Sequence, residues 1–208
     1  MLRGGVVVSE FVVRWDAPDA VRSLAAAMCR MIRRAGGSRP GFLCVGTDRS
    51  TGDSFGPLVG SMLAGRVGAH VAGTLADPVH AQNLVQRVEA MRAWGVCPLV
   101  VVDAHIGGEP GSLRLGVGGL EVAGGVCGRV GDIGLSGVVL PAVGEHFFGV
   151  MALGSVRLWL VLQMAHVAAR AVTLALEMLG MPALDAGRSI PDFPDGALVA
   201  AVSGGEGL

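Results

Sequence analysis

The 208-residue chain has no lysine and no tyrosine, and all 16 of its basic residues are arginine. Without lysine there is no Gly-Lys-Ser/Thr ending, so the run Gly46-Thr47-Asp48-Arg49-Ser50-Thr51-Gly52 is not a Walker phosphate loop. The G-x-G-x-x-G spacing of a dinucleotide site is missing too. Ser50, Thr51 and Ser54 are read without a Gly-x-Ser-x-Gly elbow and without a compelling order of His and Asp, so a serine hydrolase is not expected. Cys29, Cys44, Cys97 and Cys127 form no C-x-x-C pair and read as small, reduced, apolar side chains. No histidine pair has metal-ligand spacing. Net charge is only −1, which excludes electrostatic capture of nucleic acid or of an acidic membrane. The first valine run soon meets Glu10 and Arg14, too short and too charged for a signal peptide. A cytoplasmic protein is expected.

What is abundant is glycine, 34 residues, about double the usual ~7%. It has no three-residue period, so it signals tight turns and not collagen. The all-arginine bias reads as that of a GC-rich coding sequence. One domain is expected over residues 1–183, with a flexible tail over 184–208, where prolines and glycines occur without periodicity. Val6 to Trp15 reads as an added strand, and Asp19 to Arg34 as a helix stopped by Gly36-Gly37. Apolar runs at 42–46, 69–74 and 98–103 read as strands, and Pro57 to Val67 as a helix. A further helix is expected to start at Asp77-Pro78. Strand and helix alternate, which predicts an α/β fold of three layers, α/β/α, around a twisted, mostly parallel sheet. Residues 112–140 read as short strands broken by glycines, some antiparallel or at an edge. Residues 155–179 carry the strongest helical pattern. Gln163, His166, Arg170, Thr173 and Glu177 form a polar stripe, which argues for a packed helix and against a membrane span.

The stretch Leu43 to Pro57, LCVGTDRSTGDSFGP, organises the rest. It joins a buried strand to a helix through a polar loop, and open α/β sheets place their sites at such carboxyl ends. The pattern recurs at Leu99-Val100-Val101-Val102-Asp103. If the two strands are parallel neighbours, Asp53 and Asp103 converge at one edge of the sheet. Two carboxylates there can do acid/base work or hold a metal. Simpler roles stay open: Asp53 as the N-cap of the following helix, and Asp103 as a turn residue. His105, two residues beyond Asp103, and His146 are the histidines best placed for a proton or metal role.

The strings GTDRSTGDSFGPLVG, GTLADPVHAQNL, VVVDAHIG and VGDIGLSGVV, in this order, resemble the YyaC family of sporulation proteins. That family is similar to the germination protease and, more distantly, to the hydrogenase maturation endopeptidases. The resemblance implies a cytoplasmic endopeptidase of the sporulating cell or spore interior. Asp53, in Asp53-Ser54-Phe55-Gly56-Pro57, and Asp103, in Asp103-Ala104, match the germination protease's two aspartates and are the expected catalytic pair. Asp48, Arg49, Thr51 and His105 are expected to orient the loop or the substrate. The implied substrate is a small DNA-coating spore protein. The maturation enzymes imply an alternative in which Asp53, Asp103 and His146 hold a divalent metal, although no local motif marks His146. A non-catalytic sporulation factor that binds a partner at the same loops is the reading from a different class. Assembly into a homo-oligomer stays open.

Overall fold

Short continuous apolar runs in the strands decide how the layers form. The structure, a computed structural model, describes residues 9–36, 38–122, 128–142 and 152–181. Its elements run β1 (Ser9–Arg14), α1 (Ala20–Arg34), β2 (Gly41–Cys44), α2 (Phe55–Leu63), β3 (His70–Ala72), α3 (Leu84–Ala93), β4 (Leu99–Ile106), β5 (Ser112–Val117), β6 (Leu120–Glu121), β7 (Arg129–Val130), β8 (Ile133–Leu140) and α4 (Leu158–Met178). Six strands make one sheet in the order β1-β5-β8-β4-β2-β3, and β6 pairs with β7 in a separate ribbon. β8, β4, β2 and β3 are parallel neighbours, while β5 runs antiparallel between β8 and β1. The sheet is therefore mostly parallel, as the alternating pattern predicts, with the antiparallel strand inside the glycine-broken segment.

Phe42, Cys44, Val100, Val102, Leu113, Leu115, Ile133 and Leu135 project to one face, where they meet α1, α2 and α4. Leu43, Val45, Leu99 and Val101 project to the other, beneath α3 and the β6–β7 ribbon. Strands buried on both faces need apolar residues at every position, which is why these runs do not alternate with polar ones. The first layer is tied together by α4. Ala165, Ala168, Ala169, Ala171 and Ala175 are all at 0% exposure, and such small side chains let α1 and α2 approach closely. α4 is long and apolar enough to cross a membrane by length and composition, yet half of its most apolar window is buried within the fold. Its polar stripe is narrower than expected, because His166 is itself buried at 5% exposure.

Two sequence expectations need correction. The helix expected from Asp77-Pro78 begins only at Leu84. Side-chain hydrogen bonds hold the intervening residues in turns: the Asp77 N–H donates to Thr74 Oγ1, and the His80 N–H donates to Asn83 Oδ1. Such local bonds compete with helix formation, and Val79 is drawn into a parallel bridge with Val45. The second correction concerns β4, which does not stop at Asp103 but runs on to Ile106, because β8 pairs with it that far. The tail expected over 184–208 lies outside the described residues.

Sheet order positions the site. From β2 the chain crosses through α2 to β3 on one side, then through α3 back over β2 to β4 on the other. Right-handed crossovers in opposite directions place α2 and α3 on opposite faces. Between the carboxyl ends of β2 and β4 lies the topological switch point, where such sheets leave a crevice.

Candidate active site

The loop after β2 is held by its own backbone. The Val45 N–H donates to the Val102 carbonyl at 2.7 Å, and the Gly46 N–H donates to the Val79 carbonyl at 2.8 Å. Gly46 has φ +132°, and a Cβ there would collide with the Asp53 carbonyl oxygen. Gly56 lies against Val45 so closely that any side chain would strike the Val45 backbone. These two contacts fold the loop back until its end touches its beginning. Phe55, fully buried against β8 at Gly137, anchors the far side.

Asp53 sits in a single 3-10 turn, Gly52–Ser54, that leads into α2. Its Oδ2 accepts a 2.9 Å hydrogen bond from the Thr47 N–H across the loop. No side-chain cap bond forms at the start of α2, so Asp53 is not an N-cap. Burial raises its proton affinity above the usual aspartate value, and the Thr47 N–H works against that rise.

Asp103 lies just past the last β2–β4 pair, Cys44 with Val102. Its Oδ1 accepts from the Ala104 N–H at 2.7 Å. Its proton affinity is raised well above the usual value, first by burial and then by the negative charge of Asp53, with the Ala104 N–H opposing both. The parallel neighbourhood of β2 and β4 thus brings the two carboxyl groups within electrostatic reach of each other. Both are biased toward holding a proton, Asp103 the more strongly.

The other expected residues are placed differently. Asp48 and Arg49 are exposed, and the loop tie at this point is the Thr47 Oγ1, which accepts from the Arg49 N–H at 3.3 Å. The Thr51 carbonyl accepts from the Ser54 Oγ at 2.6 Å. His105 is partly buried, and both burial and the Arg114 charge lower its proton affinity, which favours the neutral imidazole. Neither aspartate is among the groups acting on it. His146 lies outside the described residues. Among the described residues no group of three His, Cys, Asp or Glu side chains could hold a metal ion. Two of the three donors of the metal alternative are therefore described, and they are the aspartates.

The expectation that the chain has no Gly-x-Ser-x-Gly elbow needs correction, because Gly52-Asp53-Ser54-Phe55-Gly56 has that spacing. It falls between a strand and a helix, where a nucleophile elbow would sit. Ser54, however, is 5% exposed and its hydroxyl is bonded to Thr51. An elbow exposes its serine, and this one turns inward. Ser50 is the loop's unexplained group: its hydroxyl is buried without a hydrogen-bond partner among the described residues.

Residues 12–171 match a family model described as a protein of unknown function (DUF1256). The chain belongs to that family. It is also similar to the uncharacterized protein YyaC of Bacillus subtilis (strain 168), with 37% identity over 175 residues, covering 80% of this chain and 83% of that one. The YyaC resemblance of the loop strings is thus shown at the level of the family. No solved structure matches. The DUF1256 match extends from β1 into α4 and includes both Asp53 and Asp103.

Proposed function

We propose that the protein is an aspartate-dependent endopeptidase of sporulation or germination that acts on a small spore protein in the cytoplasm of the sporulating cell or spore. The observation that carries this reading is the pair of mutually repelling carboxyl groups at the switch point, of which Asp103 holds its proton the more tightly. Such a pair supplies an acid and a base at one pH.

Asp53, the more readily ionised, takes a proton from water as the water oxygen bonds to the scissile carbonyl carbon. Asp103 gives its proton to the carbonyl oxygen, which makes a neutral tetrahedral diol. On collapse the carbon–nitrogen bond breaks. Asp53 passes its proton to the leaving amine, and a diol hydroxyl returns one to Asp103, so both groups end as they began. The Thr47 N–H holds Asp53 in place and moderates its basicity. A divalent ion bound by the aspartates would activate water in place of the base; no step here is routed through one.

Digestion of purified small acid-soluble spore protein tests this. The wild type should cleave it, and Asp53→Asn and Asp103→Asn should each lose on the order of 10⁴ in rate. A near-normal rate in either variant overturns the pair. A chelator that abolishes wild-type cleavage, with rescue by one metal, selects the metal-assisted form. A second reading, a non-catalytic binding factor, is favoured by the structural use of Asp53, whose carboxylate closes the loop through Thr47. Absence of cleavage by the wild type selects that reading.

A further inference from the structure

On the second face of the sheet a cavity of about 220 Å³ opens between β5, β8 and the β6–β7 ribbon. Its charged and polar lining comprises His105, Arg114, Glu121, Arg129 and Ser136. The cavity adjoins the aspartates through a single cross-strand row. Asp103 on β4 pairs with Ser136 on β8, and Ser136 pairs with Arg114 on β5. Residues paired across strands share a face. Two strand spacings of ~4.8 Å put the ends of this row about 10 Å apart.

The two arginines are committed differently. Arg129 donates to the Gly118 and Gly119 carbonyls at 2.9 and 2.7 Å, so it braces the ribbon. Glu121 is its register neighbour across that ribbon. Arg114 is half-buried, and no carboxylate or carbonyl among the described residues receives its guanidinium. Ser136, 6% exposed, likewise makes no side-chain hydrogen bond among the described residues. The half-buried guanidinium and a hydroxyl that is not among the buried unpartnered atoms of the described residues both stand at the cavity wall, within reach of a ligand that supplies acceptors.

We propose that this cavity is a subsite for the side-chain carboxylate of an acidic residue in a peptide substrate, with Arg114 as the charged fork and Ser136 as a further donor. Its role as a subsite rests on the peptidase reading; its affinity for a carboxylate does not. At about 220 Å³ the cavity is at the small end for a ligand site, a size that suits a single side chain. The arginine fork matches a planar carboxylate in two parallel hydrogen bonds. Glu121 at the exposed rim disfavours the second negative charge of a phosphate. An extended peptide advances ~3.3 Å per residue, so the acidic residue lies within about three positions of the bond at Asp103.

Amide NMR titration of the full chain decides this, with acetyl-glutamate amide, acetyl-glutamine amide, acetylglycine and inorganic phosphate as probes. Acetyl-glutamate amide should shift the amides of Gly116, Gly134 and Ser136 saturably, and acetyl-glutamine amide should not. Arg114→Gln should weaken binding about tenfold or more, and Arg114→Lys should fall between. Equal response to the glutamine probe, no saturable response, or unchanged binding in Arg114→Gln overturns the proposal. Tighter binding of acetylglycine or phosphate overturns it in favour of a terminal carboxylate or a phosphate group. If Arg114→Gln does not fold, Arg114→Lys and the probe series on the wild type still decide. The readout is binding, so a wild type that fails to cleave spore protein leaves this result standing, and the reverse holds too.

Discussion

Replacing Asp103 by asparagine should stabilise the fold at neutral pH, with a gain that disappears in acid. Asp103 binds its proton more tightly in the folded chain than in the unfolded one, where its value is near 3.8. Between that value and the folded one, the native state carries the extra proton, so wild-type stability falls as pH rises. One proton gives a slope of at most about 1.4 kcal/mol per pH unit. Asparagine keeps the oxygen that accepts from the Ala104 N–H and carries no titrating proton. The difference in unfolding free energy between Asp103→Asn and the wild type should therefore be near zero below about pH 3.8 and climb with pH at up to that slope. It should level off where folded Asp103 ionises. In an Asp53→Asn background the repelling charge is gone, so the climb should end at a lower pH. Urea unfolding across pH, followed by tryptophan fluorescence, measures this. Trp15 and Trp159 report on it because their rings meet edge to face at 5.2 Å, joining the end of β1 to the start of α4. A difference that is flat with pH, or one in which the variant loses stability as pH rises, would refute the buried, repelled carboxyl group.

Three substitutions test how the loop and sheet are held. Phe55→Ala empties a fully buried site against Gly137 and Met164 and should cost about 3–5 kcal/mol in urea unfolding. Gly56→Ala forces a methyl into the Val45 backbone and should cost about 1–3 kcal/mol. Because it displaces the turn that carries Asp53, it should also lower any cleavage rate. Asp132→Ala leaves the buried Leu99 N–H without its 2.7 Å acceptor and should cost about 1–3 kcal/mol. Burial raises the Asp132 proton affinity, but the hydrogen bonds from Arg92 and Leu99 outweigh it and lower it overall. That contribution is complete above about pH 3.8 and is lost as pH falls through the folded value, so wild type and variant should converge in strong acid.

The parallel strands were legible because β2 and β4 are buried on both faces, and a sequence can satisfy that only with short continuous apolar runs. The aspartates were legible as candidates because each interrupts or follows such a run. Less legible was anything set by local side-chain bonds. Asp77-Pro78 has the composition of a helix start, but Thr74 and Asn83 capture the nearby N–H groups and delay α3 to Leu84. His166 follows the helical period of the polar stripe, yet α1 and α2 together cover more of α4 than one apolar face, so it is buried. Arg114 and Ser136 carried no local signal at all. They meet only because β5 lies antiparallel beside β8, a pairing between residues 22 positions apart.

That antiparallel strand separates two jobs that the sheet would otherwise leave to one edge. The parallel strands produce a switch point, and a switch point gathers loop residues, here the carboxyl groups. A parallel strand next to β8 would bring a crossover of a dozen or more residues, usually a helix that covers a face of the sheet. β5 instead reaches β8 through the β6–β7 excursion, whose paired ribbon is two residues per strand. The ribbon packs on β4 and β8 through Leu120, Val122 and Val130. It leaves the row from Arg114 to Ser136 open beside it. Hence the predicted effects of substitution divide by layer. Changes at Gly56 or Phe55 act through the helix side of the sheet and should lower stability and chemistry together. Arg114→Gln acts on the ribbon side, where the guanidinium lies against Gly108 and away from the helices of the first layer. It should change which peptides bind while leaving the pH-dependent stability difference at Asp103 in place. If Arg114→Gln instead abolished that difference, the cavity and the carboxyl pair would be one electrostatic unit, and the division by layer would be wrong.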